Sequence, residues 1–182
     1  PFFLVTYHPV TLANDGGLSA LEALLGALDD YKCHNVLITY PNADTTSEKI
    51  IDALQSYKMR NENRVALVKS LGKIGYLSAV KYCSAVIGNS SSGLIEVPSL
   101  GKPTVNVGNR QKGRITGATV LNCEDDTDSI KSTIRSSLSE QFLKTCESSE
   151  NPYGVGGSSN KILDVIINHP IDNLTQKQFF DL

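Results

Sequence analysis

The sequence contains no tryptophan, one methionine, three histidines and four cysteines among its 182 residues. The cysteines (Cys33, Cys83, Cys123 and Cys146) stand far apart, with no C-x-x-C pair and no histidine cluster beside them, so neither a metal site nor a disulfide framework is indicated. They read as reduced, mainly structural thiols. Charge of one sign is also missing. A formal net charge of -2 provides no broad basic field, which argues against a nucleic-acid partner and requires any phosphate to be held by a few local groups. No apolar run approaches the roughly 20 residues of a membrane span, and no basic start with a cleavage site marks a signal peptide. A cytoplasmic protein without membrane partner, metal or cofactor is expected. The chain lacks an initiator Met and enters a strand at once from Pro1-Phe2, as expected where a chain is divided at a domain boundary.

What is present is alternation. Short β-rich apolar runs at residues 2–7, 35–40, 65–69, 85–88, 104–107 and 119–122 alternate with helical patterns. Leu18, Leu21, Leu24, Leu25 and Leu28 recur on one helical face behind Gly16-Gly17, and Ser47 is placed to cap a helix carrying Ile50, Ile51 and Leu54. Further helices are expected over 74–82, over 92–100 with Pro98 ending or distorting the helix near its last turn, around Ile130, Ile134 and Leu138, and around Ile162, Val165 and Ile166. Parallel strands need crossovers, and right-handed crossovers cover both sheet faces. The expectation is therefore an α/β, doubly wound, Rossmann-like domain over residues 1–168, with a polar tail over 169–182 bearing Phe179-Phe180.

In such a sheet ligands bind beyond the C-terminal strand ends. The most informative stretch lies at one of them: Gly88-Asn89-Ser90-Ser91-Ser92-Gly93, followed by Glu96. A strand running through a Gly/Ser turn into a helix gathers unpaired N–H groups and hydroxyls where the helix dipole is positive, which suits a diphosphate. Glu96, one turn on, is placed to accept hydrogen bonds from ribose hydroxyls. An NAD site would carry its glycines on the first strand and its acid about 20 residues later. The plainer alternative is that the serines only cap the helix and Glu96 is a solvated acid.

The loop Gly108-Asn109-Arg110-Gln111-Lys112-Gly113-Arg114 brings three cations to the same edge, where Arg110 and Arg114 can grip phosphate; the alternative is an ordinary solvated loop. His8 ends the first strand ahead of Pro9, which keeps the chain extended and turns the imidazole toward the ligand edge, unless it is simply structural. His34 and His169 read as surface residues.

These stretches, together with Tyr7-His8-Pro9-Val10-Thr11, Gly101-Lys102-Pro103-Thr104-Val105-Asn106 and Asn151-Pro152-Tyr153-Gly154, occur in the order found in UDP-N-acetylglucosamine 2-epimerases, which the chain resembles from about Phe3 to Ile167. The resemblance is nearest to the hydrolysing, sialic-acid-type branch, with the enzymes of diacetamido-bacillosamine nucleotides close by. It implies the second half of a two-domain fold of the type B glycosyltransferase kind, with UDP-N-acetylglucosamine or a related UDP-sugar in the cleft and a homo-oligomeric full-length protein. It also implies roles: Ser90 and Ser91, with Ser92 and Gly93, at the diphosphate, Glu96 at the ribose, Arg110 or Arg114 at the phosphates, His8 as the catalytic candidate at the sugar-phosphate, and Lys69-Ser70-Leu71 beside uracil. Val155 stands where the family usually has Asp. The implied reaction is anti elimination of UDP to a 2-acetamidoglucal followed by hydration to N-acetylmannosamine, with the proton-transfer carboxylates in the other domain, so this chain alone is expected to be inactive. A UDP-sugar-dependent glycosyltransferase and a non-catalytic nucleotide-binding module are the competing readings.

Overall fold

The strands come from the expected places: β1 (Phe2–Thr6), β2 (Asn35–Thr39), β3 (Val65–Val68), β4 (Ala85–Gly88), β5 (Thr104–Val107) and β6 (Val120–Cys123). A computed structural model describes residues 1–42 and 47–170. All neighbouring pairs are parallel, in the order β3-β2-β1-β4-β5-β6. This is the doubly wound order, whose topological switch point lies between β1 and β4.

The strand pleat distributes the core between two faces. Phe3, Val5 and Tyr7 of β1 and its extension pack with α1 (Leu18–Leu28), α2 (Ser47–Arg60) and α5 (Thr127–Ser137) in the larger cluster. Leu4 turns the other way and joins Val80 of α3 (Gly72–Tyr82), Cys83, Val86 and Val97. The leucine stripe predicted for α1 is the stripe that is buried: Leu21, Leu24 and Leu28 are fully inaccessible. At the strands' N-terminal edge Arg64 acts as a staple. It donates to the carbonyls of Leu28 and His34, to Asp29 at 3.0 Å and to the Tyr57 hydroxyl at 2.7 Å.

Several local expectations need revision. The helix expected over 92–100 is one turn, α4 (Ser92–Ile95), followed by a 3-10 turn (Val97–Leu100) with Pro98 near its start and Gly101 at φ 60 closing it. Of the two expected effects of Pro98, ending the helix is the one seen, and because proline is compatible with an initial turn it also opens a second element. The helix around Ile130 ends at Ser137, and α6 (Glu140–Ser148) begins again behind the Ser139 cap, whose hydroxyl accepts the Phe142 N–H at 3.3 Å. Ser47 is the first residue of α2 and its hydroxyl donates to the Asn42 carbonyl at 2.6 Å. His34 is no plain surface residue, because its ring stacks on Phe3 with centroids 4.4 Å apart. The four cysteines are free, and burial pushes the Cys83 and Cys146 thiols up to about 11.

The last described helix, α7 (Ser158–Asn168), has no buried residue, and Ile162, Leu163, Val165, Ile166 and Ile167 are all exposed. Phe179-Phe180 lies outside the described residues. Among the described residues no helix is long and apolar enough to cross a membrane.

Candidate functional site

The site grows from the register of the two central strands. Thr6 of β1 is the registered partner of Gly88 of β4, so His8 and Ser90 each stand two residues beyond a paired position on strands about 5 Å apart. That juxtaposition falls at the switch point, where the sheet opens a crevice because consecutive connections leave in opposite directions.

Asn89 fills the gap between them. It is 1% exposed; its Oδ1 accepts the His8 N–H at 2.7 Å and its Nδ2 donates to the His8 carbonyl at 2.8 Å. Its own carbonyl accepts Arg110 Nη1 at 3.1 Å and Gln111 Nε2 at 2.7 Å. The ends of β1 and β4 and the loop after β5 are thus joined at one residue. The His8 ring is fixed from the other side, where Nδ1 accepts the Asn42 N–H at 3.2 Å. An accepting Nδ1 assigns the neutral ring its proton on Nε2, making that nitrogen the donor.

In the turn after β4, the Gly93 N–H donates to the Ser90 carbonyl and the Leu94 and Ile95 N–H groups donate to the Ser91 carbonyl. Among the described residues the Ser90 and Ser91 amides have no protein acceptor, and both residues are half-buried. Because α4 spans only Ser92–Ile95, the macrodipole contributes less than a long helix would, and these amides with the serine hydroxyls are the donor groups the turn has to offer. Gly93 serves packing: a β-carbon there would lie 2.6 Å from Thr104 Cγ2. Among the described residues the buried Ser92 Oγ and Tyr76 hydroxyl complete no full hydrogen bond, although they lie close enough to each other to interact. Burial pushes the Tyr76 phenol up, and the Glu96 charge adds to that, which places Tyr76 beside this turn. Glu96 is exposed.

The three loop cations do not share one crevice. Arg110 lines a cavity of about 520 Å³ with Tyr7, Asp15 and Asp125, whereas Lys112 and Arg114 line a neighbouring one of about 610 Å³ with Asn106, Asn122 and Cys123. A larger cavity, about 910 Å³, lies at the opposite edge between α1 and α2; its Arg64 is already committed to Asp29 and Tyr57.

Asn89, Gln111, Tyr76 and Asn151 were not singled out from the sequence as site residues. Asn151 donates to the Ile95 carbonyl at 2.8 Å and to Ser99 Oγ at 2.6 Å, and Tyr153 reaches the Ile115 carbonyl at 3.0 Å. The Asn-Pro-Tyr segment therefore braces the turn of α4 against the loop after β5. Val155 is fully exposed.

Residues 1–167 match the family model described as UDP-N-acetylglucosamine 2-epimerase. The chain belongs to that family. An Escherichia coli relative, polysialic acid biosynthesis protein P7, is 39% identical over 84% of this chain and 39% of its own length. A Campylobacter jejuni relative, a hydrolysing GDP/UDP-N,N'-diacetylbacillosamine 2-epimerase, is 35% identical over 99% of this chain and 47% of its own. The chain thus spans less than half the length of these curated relatives. Among solved structures, an S. aureus protein with UDP bound superposes with TM-score 0.74 at 18% identity, covering 97% of this chain and 47% of the other. The Neisseria meningitidis UDP-GlcNAc 2-epimerase bound to UDP-GlcNAc gives 0.73 at 19% identity, covering 91% and 44%. At those identities the superpositions establish the fold. Membership in the epimerase family and the Rossmann-like sheet were both legible in the sequence.

Proposed function

We propose that residues 1–168 form the nucleotide-binding half of a hydrolysing UDP-sugar 2-epimerase acting on UDP-N-acetylglucosamine or a related acetamido sugar, in the cytoplasm. The observation that carries this reading is the convergence at the switch point of His8, the Ser90-Ser91 amides and Arg110 around Asn89. The printed activity of the Campylobacter relative supports the hydrolysing outcome, and the name of the Escherichia coli relative supports an acidic-sugar pathway.

In this reading the Ser90 and Ser91 amides and hydroxyls, with Ser92 and Gly93 shaping the turn, hold the diphosphate. Glu96 accepts from the ribose hydroxyls, Arg110 neutralises phosphate charge, and Arg114 guards the neighbouring cavity. His8 donates through Nε2 to the bridging region of the sugar-phosphate. Its hydrogen bond strengthens as charge develops on departing UDP, which is the differential interaction that catalysis needs. The proton-transfer groups belong to the other half of the full-length protein. The exposed apolar side of α7 supports a partner of that kind, because five large aliphatic side chains on one exposed helix form a patch that soluble surfaces normally cover.

Calorimetric titration tests the reading. The 182-residue chain should bind UDP weakly yet release no UDP from UDP-N-acetylglucosamine, and the full-length protein should release UDP without any acceptor. An absence of binding at millimolar UDP counts against the nucleotide site. Release that requires an acceptor identifies a glycosyltransferase instead.

A further inference from the structure

We propose that Asn89 is a positioning residue for the reaction: it fastens the His8 main chain and the Arg110-Gln111 turn into one rigid unit, so that imidazole and guanidinium meet the same nucleotide. The proposal rests on the functional reading above and adds to it a residue that makes no demand on the ligand itself.

The argument begins with a main-chain problem. His8 lies just past the end of β1 and is followed by proline, which offers no N–H and keeps His8 extended, so the strand ladder cannot continue. Its N–H and C=O are nevertheless in a buried place, and buried main-chain groups need partners. The Asn89 side chain supplies both, a donor and an acceptor on one planar amide, at 2.8 and 2.7 Å. No other side chain of that size except glutamine carries such a pair, and aspartate has only acceptors. The Asn89 carbonyl meanwhile takes two donors from the loop after β5. Gln111 is 5% exposed and Nε2 reaches that carbonyl at 2.7 Å, so the loop is pinned beneath Arg110. Displacing Asn89 would therefore shift His8 and Arg110 together. A purely architectural role would hold the strands but leave the chemistry indifferent to the bond pattern.

The test uses the full-length enzyme and follows UDP release from UDP-N-acetylglucosamine, with melting temperature recorded for each variant. Asn89→Asp keeps the acceptor for the His8 N–H and loses the donor. Gln111→Met removes the pin from the carbonyl. Asn89→Ala removes both side-chain bonds, and the other two variants serve if it does not fold. Each folded variant should lose about 10- to 100-fold in kcat, the usual cost of a misplacement near 1 Å. The decisive arm is a double-mutant cycle with His8→Gln. In that background Asn89→Asp should cost far less than in the wild type, since what it positions is already gone. Equal losses in both backgrounds overturn the proposal, as does wild-type kcat in a variant that only melts lower. A wild-type enzyme that releases no UDP overturns the functional reading, and this proposal with it.

Discussion

A β-carbon on Gly88 would stand 2.1 Å from the carbonyl oxygen of Thr6, its registered neighbour on β1, and Gly88 sits at φ 139. The two central strands approach each other at the crevice only because one of them has no side chain there. Gly88→Ala adds both a main-chain clash and a conformation that L-residues rarely adopt. Loss of about 2–5 kcal/mol is expected from strain and overpacking combined. Chemical denaturation measures it, and an unchanged midpoint would show that the strands can separate at no cost.

Glu96 is exposed and one turn beyond the serine amides, so its role is testable without disturbing the core. Glu96→Ala should weaken UDP binding by about 1–3 kcal/mol, the range for hydrogen bonds to a charged acceptor, with the melting temperature unchanged. Matching affinities of the two proteins by calorimetry would remove Glu96 from the ribose site.

For His8 the proposed role is that of a donor through Nε2, since Nδ1 accepts the Asn42 N–H. His8→Asn in the full-length enzyme should lower kcat and kcat/KM together by about 10²–10⁴-fold, as for a group acting in the transition state. A variant that melts several degrees lower with kcat intact would make His8 a structural strand end.

Asp15 is tied to the start of α1. Its Oδ1 accepts the Gly17 N–H and its Oδ2 the Ser19 N–H, both at 2.8 Å. These bonds favour the charged form and, with the Ser19 hydroxyl first among the causes, hold the carboxyl down at about 2 against an ordinary 3.8. A folded-state value below the unfolded one means stability that is fully present above the unfolded value and is lost as pH falls through the folded one. Wild-type stability should therefore drop between pH 3.8 and about 2, and Asp15→Asn should flatten that part of the curve. Parallel pH–stability curves for the two proteins would show that the carboxylate contributes nothing.

The local repeat of apolar residues made the six strands, α1 and α2 legible, because burying one helical stripe or a continuous strand leaves a period in the chain. The Gly88–Glu96 turn was legible for a similar reason: its glycines and serines do their work within a few residues. The break after Ile95 was not. Pro98 is compatible with either a distorted turn or a new one, and the bonds from Asn151, 56 residues from Ile95, accompany the second choice. α6 was hidden because a polar nine-residue segment buries only Cys146.

What the sequence by itself determined is the six strands and most of the helices between them, the family and the chemical character of the loops. What only the tertiary structure decided is which loops meet. Placing β1 beside β4 brings His8 to Asn89, 81 residues away, and lets Arg110 and Gln111 converge on the same carbonyl. The same packing divides Arg110 from Arg114 into separate cavities, although they are four residues apart on one loop. Hydrophobic periods report burial, which each element records along its own length; hydrogen bonds between strand ends depend on order and register across the sheet, which no single element records.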